Sequence, residues 1–220
     1  MKILALETAN EQCSVALVDD TQLLSFELNF EPRAQTQQVL PMIERALQQT
    51  ETTWQEISAI AFSRGPGSFS GVRINAAVVQ ALAWTHDLPV IPVSTLRALA
   101  QHAQLEQGFT AVTAVIDARM NEVYIGSFSA DENGIMQAND EEQLLAYEAA
   151  KAVVLHHVVG TGAKLLEHPI DQQLEYANAQ DIAVIARSEF LKGNTVSADQ
   201  ALPVYLRDNA WKKIADQGKA

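Results

Sequence analysis

The chain has 220 residues, 48% of them hydrophobic and 19% charged, which is typical of a globular protein that buries a sizeable core in one large or two small domains. No stretch reaches the roughly 18 apolar residues of a membrane span, the N-terminus lacks the pattern of a secretory signal, and Cys13 has no cysteine partner. We therefore expect a cytoplasmic protein that does not contact membranes.

The formal net charge of −12 argues against a chain that binds nucleic acid by itself, because such binding depends on basic side chains that neutralise phosphates. The densest basic cluster lies near the C-terminus and is interpreted as a solvated tail. It consists of Arg207, Lys212 and Lys213.

The first half of the chain predicts an antiparallel meander followed by alternating helices and strands. Pro41 falls inside the first predicted helix, which either begins near it or bends there. Ser94 or Thr95 is positioned to cap the last helix of this half. The predicted strands cover 2–7, 14–18, 23–30, 57–62 and 90–93, and the helices cover 35–49, the segment from the glycines to 86, and the segment from 94.

The second half repeats this order, which favours two α/β subdomains divided near 104–109, that is 1–106 and 107–220. Identity between the halves is too weak to define a sequence repeat, so the duplication rests on element order. The predicted strands are 111–117, 122–129, 135–138 and 152–159, followed by a short helix and by an amphipathic helix over 181–191 that ends at Gly193.

A glycine-rich segment, SRGPGSFSGVRI at 63–74, joins a buried strand to a helix. Its spacing does not fit a dinucleotide fingerprint, and no lysine provides the ending of a nucleotide P-loop. Two interpretations remain: an anion site at the helix N-terminus beside Arg64 or Arg73, or a tight crossover in which Ser68 or Ser70 caps the helix. The loop residues are Arg64, Gly65, Pro66, Gly67, Ser68, Phe69 and Gly71.

The helix after the glycines lacks a continuous polar face, because Arg73 and Gln80 share one side while Asn75 points nearly opposite. A helix that is apolar almost all round is buried on more than one side. Either a neighbouring helix or a partner subunit must cover the side that the sheet leaves open.

No self-sufficient catalytic constellation or metal-ligand spacing is present in the sequence. Asp117 and Arg119 lie at a turn, where they are interpreted as either ligand contacts or a pair that stabilises the turn. Glu7 and Thr8 occupy the equivalent place in the first half.

The glycine segment, together with MKILALETANEQCSVAL, TQQVLPMIERAL, AVIDARMNEVY, ADENGI and PVYLRDNAWKK, resembles the bacterial TsaB (YeaZ) family. The resemblance covers nearly the whole chain and is weakest at 139–180. It implies an actin-like ATPase superfamily fold of two subdomains, each opening with a three-stranded antiparallel meander.

The resemblance also implies a non-catalytic scaffold or activating subunit in tRNA threonylcarbamoyladenosine synthesis. Its expected partners are a TsaD-like catalytic paralogue, a TsaE-like ATPase and possible further copies of itself. In this scheme tRNA is engaged through the complex, and ATP, ADP and metal sit on the partner subunits, with no intrinsic cofactor here. The N-terminal helices would form the interface, through Val39, Met42, Ile43, Arg73, Ala76, Ala77, Gln80, Ala81 and Trp84.

Three positions depart from the family pattern. Gln35 replaces a frequent histidine, Asn75 replaces a glycine and places a larger polar group on the expected bundle helix, and Glu7 replaces the Asp that precedes the phosphate turn of superfamily ATPases. The last change argues against a competent nucleotide site at Thr8. The alternative functions are an ATP-dependent transferase or kinase, which would bind nucleotide between the subdomains, and a peptidase, for which no recognisable pattern exists.

Overall fold

The computed structural model describes residues 1–31, 34–169 and 172–207, and its strands form two five-stranded sheets. The predicted α/β class, with an antiparallel meander opening each half, is confirmed. The strands are β1 (Ile3–Glu7), β2 (Cys13–Val18), β3 (Leu23–Asn29), β4 (Ala59–Ser63), β5 (Val90–Val93), β6 (Ala111–Arg119), β7 (Glu122–Ala130), β8 (Met136–Ala138), β9 (Gln143–Ala146) and β10 (His157–Val159), and the helices are α1 (Gln35–Gln49), α2 (Phe69–His86), α3 (Thr95–Gln107), α4 (Tyr147–Val153) and α5 (Ala179–Leu191).

The first sheet has the order β3-β2-β1-β4-β5, in which β1 pairs antiparallel with β2 and parallel with β4. Its central strand is buried on both faces, so successive side chains enter two different cores. Leu4 and Leu6 pack in a cluster with α1 and α2, whereas Ile3 and Ala5 pack in a cluster with α3 and α5.

The second sheet has the order β10-β6-β7-β8, and β9 also pairs with β7. Strand β10 runs parallel to β6, as β4 runs parallel to β1 in the first sheet. The two halves therefore share a meander and one parallel neighbour on its first strand.

Helices α3 and α5 lie between the two sheets and share one hydrophobic cluster with both. Helix α3, from the first half, packs on β6, β7 and β8, while α5, from the second half, packs on β1, β2, β4 and β5. The proposed division at 106/107 falls at the end of α3 and stays a prediction. Each half nevertheless supplies a helix to the sheet of the other.

The predicted strand over 152–159 is wrong in its first part. The segment YEAAKAV forms α4, because its alanines and charged residues favour a helix, and β10 begins only at His157. Strand β9 was not predicted, since QLLA is short and only its two leucines are half-buried. Pro41 lies on an exposed turn inside α1, which begins at Gln35.

Arg207 does not belong to a solvated tail: its guanidinium pairs with the Glu122 carboxylate and donates to the Ala118 carbonyl. Lys212 and Lys213, and the end of the PVYLRDNAWKK segment, lie outside the described residues. Within the described ranges, no helix combines the length and apolarity that crossing a membrane requires.

Glu7, the last residue of β1, is fully buried beside the start of α5. Burial raises the pKa of its carboxyl to about 8, against hydrogen bonds from the Ala9 N–H and the Ser63 side chain that lower it, and the Asp181 charge raises it further. Because this value lies above the ordinary 4.5, the protonated form stabilises the fold. That contribution is complete below pH 4.5 and is lost as the pH rises through 8.

We expect Glu7→Gln to stabilise the protein at alkaline pH, because a neutral amide removes the cost of burying a carboxylate. The gain in the free energy of unfolding over the wild type should be near zero below pH 4.5 and grow to a few kcal/mol, as an order of magnitude, above pH 8. Urea unfolding across this range measures it, with the exposed Glu132→Gln as control. A difference that does not vary with pH would contradict the assignment.

Candidate functional site

The glycine loop contacts the turn that follows β1 at backbone distance. A Cβ on Gly71 would lie 2.0 Å from the Thr8 carbonyl oxygen, and one on Gly67 would lie 2.3 Å from that of Ala9. The Ser68 N–H donates to the Ala9 carbonyl at 2.7 Å, and the Thr8 hydroxyl donates to the Gly71 carbonyl at 2.8 Å. Glycine at these two positions is therefore required by packing against the main chain.

The rest of the loop fixes the start of α2. Ser68 caps the helix by accepting the Gly71 N–H, as one interpretation of the segment predicted. Gly65 has φ of +101° and Pro66 is buried, while the Arg64 N–H donates to the Val93 carbonyl and the Arg64 carbonyl accepts the Val204 N–H. The segment thus forms a tight crossover between β4 and α2.

Asn75 does not lie on the exposed face of α2. Its side chain is fully buried, and its Nδ2 donates to the Leu6 carbonyl and to the carbonyl and hydroxyl of Ser63. The amide that replaces the family glycine therefore ties α2 to β1 and β4. Gln35, at the other departure, opens α1 and donates from Nε2 to the Asn10 carbonyl.

One stripe of α2 faces away from the first sheet. It carries the half-buried Arg73 and Gln80 and the exposed Ala77, Ala81 and Trp84, which follow one another at helical spacing. The Trp84 side chain is 76% exposed, and Leu40 of the adjacent α1 is 49% exposed. We call these six residues the α1/α2 face.

Four of the predicted interface residues are not on this face. Val39, Met42, Ile43 and Ala76 are at most 4% exposed, because they pack in the cluster of α1 and α2 against the first sheet. Their burial corrects the prediction that they contact a partner, since they hold α1 and α2 on the first sheet. Leu40 was missed because the helical spacing of Val39, Ile43, Ala46 and Leu47 drew attention to the buried side of α1.

A cleft of about 580 Å³ lies where the turns after β1 and β6 approach each other. Asp117 and Arg119 line it, but Thr8 does not, because it is fully buried and its hydroxyl donates to the Gly71 carbonyl. Asp117 accepts the Arg119 N–H and pairs with its guanidinium at 2.9 Å, in a turn where Arg119, Met120 and Asn121 all have positive φ. Asp117 therefore stabilises the turn.

Several cleft residues were not predicted, because they follow strands or precede helices without a recognisable motif. These are Glu11, Thr95, Thr161, Glu175 and Tyr176. Within the described ranges, no three His, Cys, Asp or Glu side chains are grouped to hold a metal ion. The expectation that this chain has no cofactor of its own stays a prediction.

Gly71→Ala tests the close approach of the loop to the β1 turn. The added methyl group would overlap the Thr8 carbonyl, so that β1 or α2 must shift, at a cost of about 1–3 kcal/mol or more in the free energy of unfolding. Ser70→Ala, one residue earlier and exposed, is the matched control and should cost less than about 0.5 kcal/mol. Equal midpoints of urea unfolding for the two variants would show that the contact is not tight.

Known proteins resemble this chain over most of its length, including the glycine loop and the α1/α2 face. A family model described as TsaD, tRNA N6-adenosine threonylcarbamoyltransferase, matches residues 31–214. The tRNA threonylcarbamoyladenosine biosynthesis protein TsaB of Escherichia coli (strain K12) is 42% identical over 97% of this chain and 98% of its own length. The protein of the same description from Haemophilus influenzae is 36% identical over 97% of each chain.

The solved structure of YeaZ from Pseudomonas aeruginosa has the same fold. It superposes with a TM-score of 0.86 at 37% identity and covers 93% of this chain and 99% of its own. Sequence and fold thus agree over nearly the full length, as the motifs at both ends of the chain predicted. The chain therefore belongs to the TsaB (YeaZ) family of tRNA threonylcarbamoyladenosine biosynthesis proteins.

Proposed function

We propose that this chain is the non-catalytic scaffold and activating subunit of the complex that makes threonylcarbamoyladenosine. The complex transfers a threonylcarbamoyl group from threonylcarbamoyl-adenylate to the adenosine beside the anticodon of tRNAs that read codons beginning with A. The observation that carries this proposal is the α1/α2 face, where a tryptophan and two alanines are exposed on a well-anchored helix.

A TsaD-like paralogue is the proposed occupant of this face. Small residues such as Ala77 and Ala81 let a second helix approach closely, and the Trp84 ring would bury a large apolar area on contact. A second copy of the chain would use the same surface, so homodimer and heterocomplex are mutually exclusive. A TsaE-like ATPase joins the assembly and does not need this face.

The charge of the chain indicates that other subunits of the complex make most of the contacts with tRNA. With a net charge of −12, this subunit adds repulsion to a polyanion, so phosphate contacts belong mainly to the other subunits. We further propose that ATP or ADP and the metal bind to the partner subunits.

The competing function, an ATP-dependent transferase or kinase, finds less support in the geometry. The Thr8 hydroxyl and the Ser68 N–H, which would face a phosphate beside the β1 turn, instead bond the Gly71 and Ala9 carbonyls. Glu7 next to them is buried and has a raised pKa, so it does not offer a carboxylate to a metal ion at the surface.

The double variant Ala77→Glu/Ala81→Glu should abolish association with the TsaD-like partner. Burying two unpaired carboxylates in an apolar interface costs several kcal/mol, so we expect the affinity to fall at least about 100-fold. Size-exclusion chromatography and calorimetric titration measure the complex, and a circular dichroism spectrum checks the fold.

The control variant Gln107→Glu/Asn133→Glu adds the same charge at exposed positions of α3 and the β7–β8 turn. It should bind the partner like the wild type. If the face variant still forms the complex with unchanged affinity, α2 is not the interface.

Reconstitution tests the non-catalytic role. Purified components are combined with tRNA, threonylcarbamoyl-adenylate and ATP, and each is omitted in turn while modified adenosine is quantified by mass spectrometry. We expect no product from this chain without the TsaD-like subunit, and strongly reduced product when this chain is left out or replaced by the face variant. Modification by this chain without the TsaD-like subunit would overturn the proposal.

A further inference from the structure

The cleft between the two sheets has the size and lining of a small-molecule site. Its volume of about 580 Å³ lies within the roughly 300–1,000 Å³ of typical ligand pockets. It is bounded by the turns after β1 and β6, the start of α2, one side of α3 and the segment before α5. No role in the proposed scaffold function uses this space.

The charge of the lining is negative. Glu11, Asp117 and Glu175 contribute carboxylates, and Arg119 is the one cation that lines the cleft within the described ranges. Since Arg119 pairs with Asp117 at 2.9 Å, Glu11 and Glu175 are left without a recorded ion pair among the described residues. The pKa of Tyr176 is affected by these carboxylates: burial raises it, and the negative charges of Glu175 and Glu11 raise it further.

A buried hydroxyl provides an independent sign of a ligand. Thr95 lines the cleft and is 2% exposed, and its Oγ1 has no hydrogen-bond partner among the described residues. It is not needed as a helix cap, because Ser94 accepts the Arg97 N–H at the start of α3. Buried polar atoms are nearly always satisfied, so a donor from a bound molecule would complete this position.

Phosphate is a poor match for this lining. The carboxylates of Glu11 and Glu175 would repel it, and the Ser68 N–H at the start of α2 is already bonded to the Ala9 carbonyl. The aromatic rings of Tyr124 and Tyr176, which also line the cleft, instead suit an apolar body or a cation over a ring face.

We propose that the cleft binds an organic cation, a primary ammonium or guanidinium group on an apolar chain. Glu11 and Glu175 balance its charge, the Thr95 Oγ1 accepts a hydrogen bond from its N–H, and Tyr124 and Tyr176 pack against its apolar part. The cation comes either from a free amine or from a lysine or arginine side chain of a peptide.

Titration of the full chain with agmatine, which carries both head groups, tests the proposal, with tetralysine and Mg-ATP as parallel probes. Calorimetry gives the affinities, and amide chemical shifts of Thr95 and Thr161 locate the binding. Binding of agmatine indicates a free amine as the source, and binding of tetralysine alone indicates a basic side chain. Mg-ATP should not bind, and binding of neither cation, or of Mg-ATP in the cleft, would overturn the proposal.

Two variants separate the cleft from general charge attraction. Glu11→Gln/Glu175→Gln should weaken cation binding by about tenfold or more, whereas Glu132→Gln/Glu141→Gln, which removes the same charge from exposed positions elsewhere, should leave it unchanged. Thr95→Val keeps the shape of the side chain and should lower affinity severalfold without lowering the unfolding midpoint, because its hydroxyl has no partner among the described residues. Equal losses for the cleft and control pairs would refute a specific site.

Discussion

The contact between the glycine loop and the turn after β1 is the constraint on which the rest of the molecule depends. Two glycines bring the start of α2 so close to the Thr8 and Ala9 carbonyls that no side chain fits between them. This contact sets the position of α2 on the first sheet, closes one end of the cleft and directs the other side of the helix outward. A single packing requirement thus links the core, the cleft and the α1/α2 face.

The exchange of helices between the halves explains why the two sheets enclose a cleft of defined shape. Because α3 packs on the second sheet and α5 on the first, both helices are held on two sides in one hydrophobic cluster. The Asp181 carboxylate of α5 also pairs with His102 of α3 at 3.1 Å, inside this layer. Burial raises the pKa of Asp181, and this His102 pairing opposes that rise. Movement of one sheet relative to the other would disturb these contacts.

The sequence predicted the order of elements well, because buried strands such as AIAFS and capped helices carry strong local signals. It predicted α4 and β9 poorly: both segments are short and have little periodicity, and β9 becomes a strand by pairing with β7. Helical spacing identified the apolar residues of α1 and α2, but it could not tell which of them the sheet covers and which remain at the surface. Val39 and Ala77 illustrate this, since both are apolar and only the fold separates core from surface.

The cleft was the least predictable part, since its residues come from seven separate segments and are adjacent only in the folded chain. The burial of Thr8 was not predicted for a related reason. Its position after β1 matched a superfamily ligand turn, but the glycine loop covers it, and such a covering cannot be read from either segment alone.

The buried Asn75 has a consequence for the kinetics of assembly. Its Nδ2 has acceptors at the Leu6 carbonyl on β1 and at the Ser63 carbonyl and hydroxyl on β4, and these contacts hold α2 rigidly on the sheet, so the exposed face is organised before any partner arrives. A preorganised surface loses little conformational entropy on docking. Differences in affinity among partners of this helix should therefore appear in how long each complex lasts, while the rate of encounter changes little.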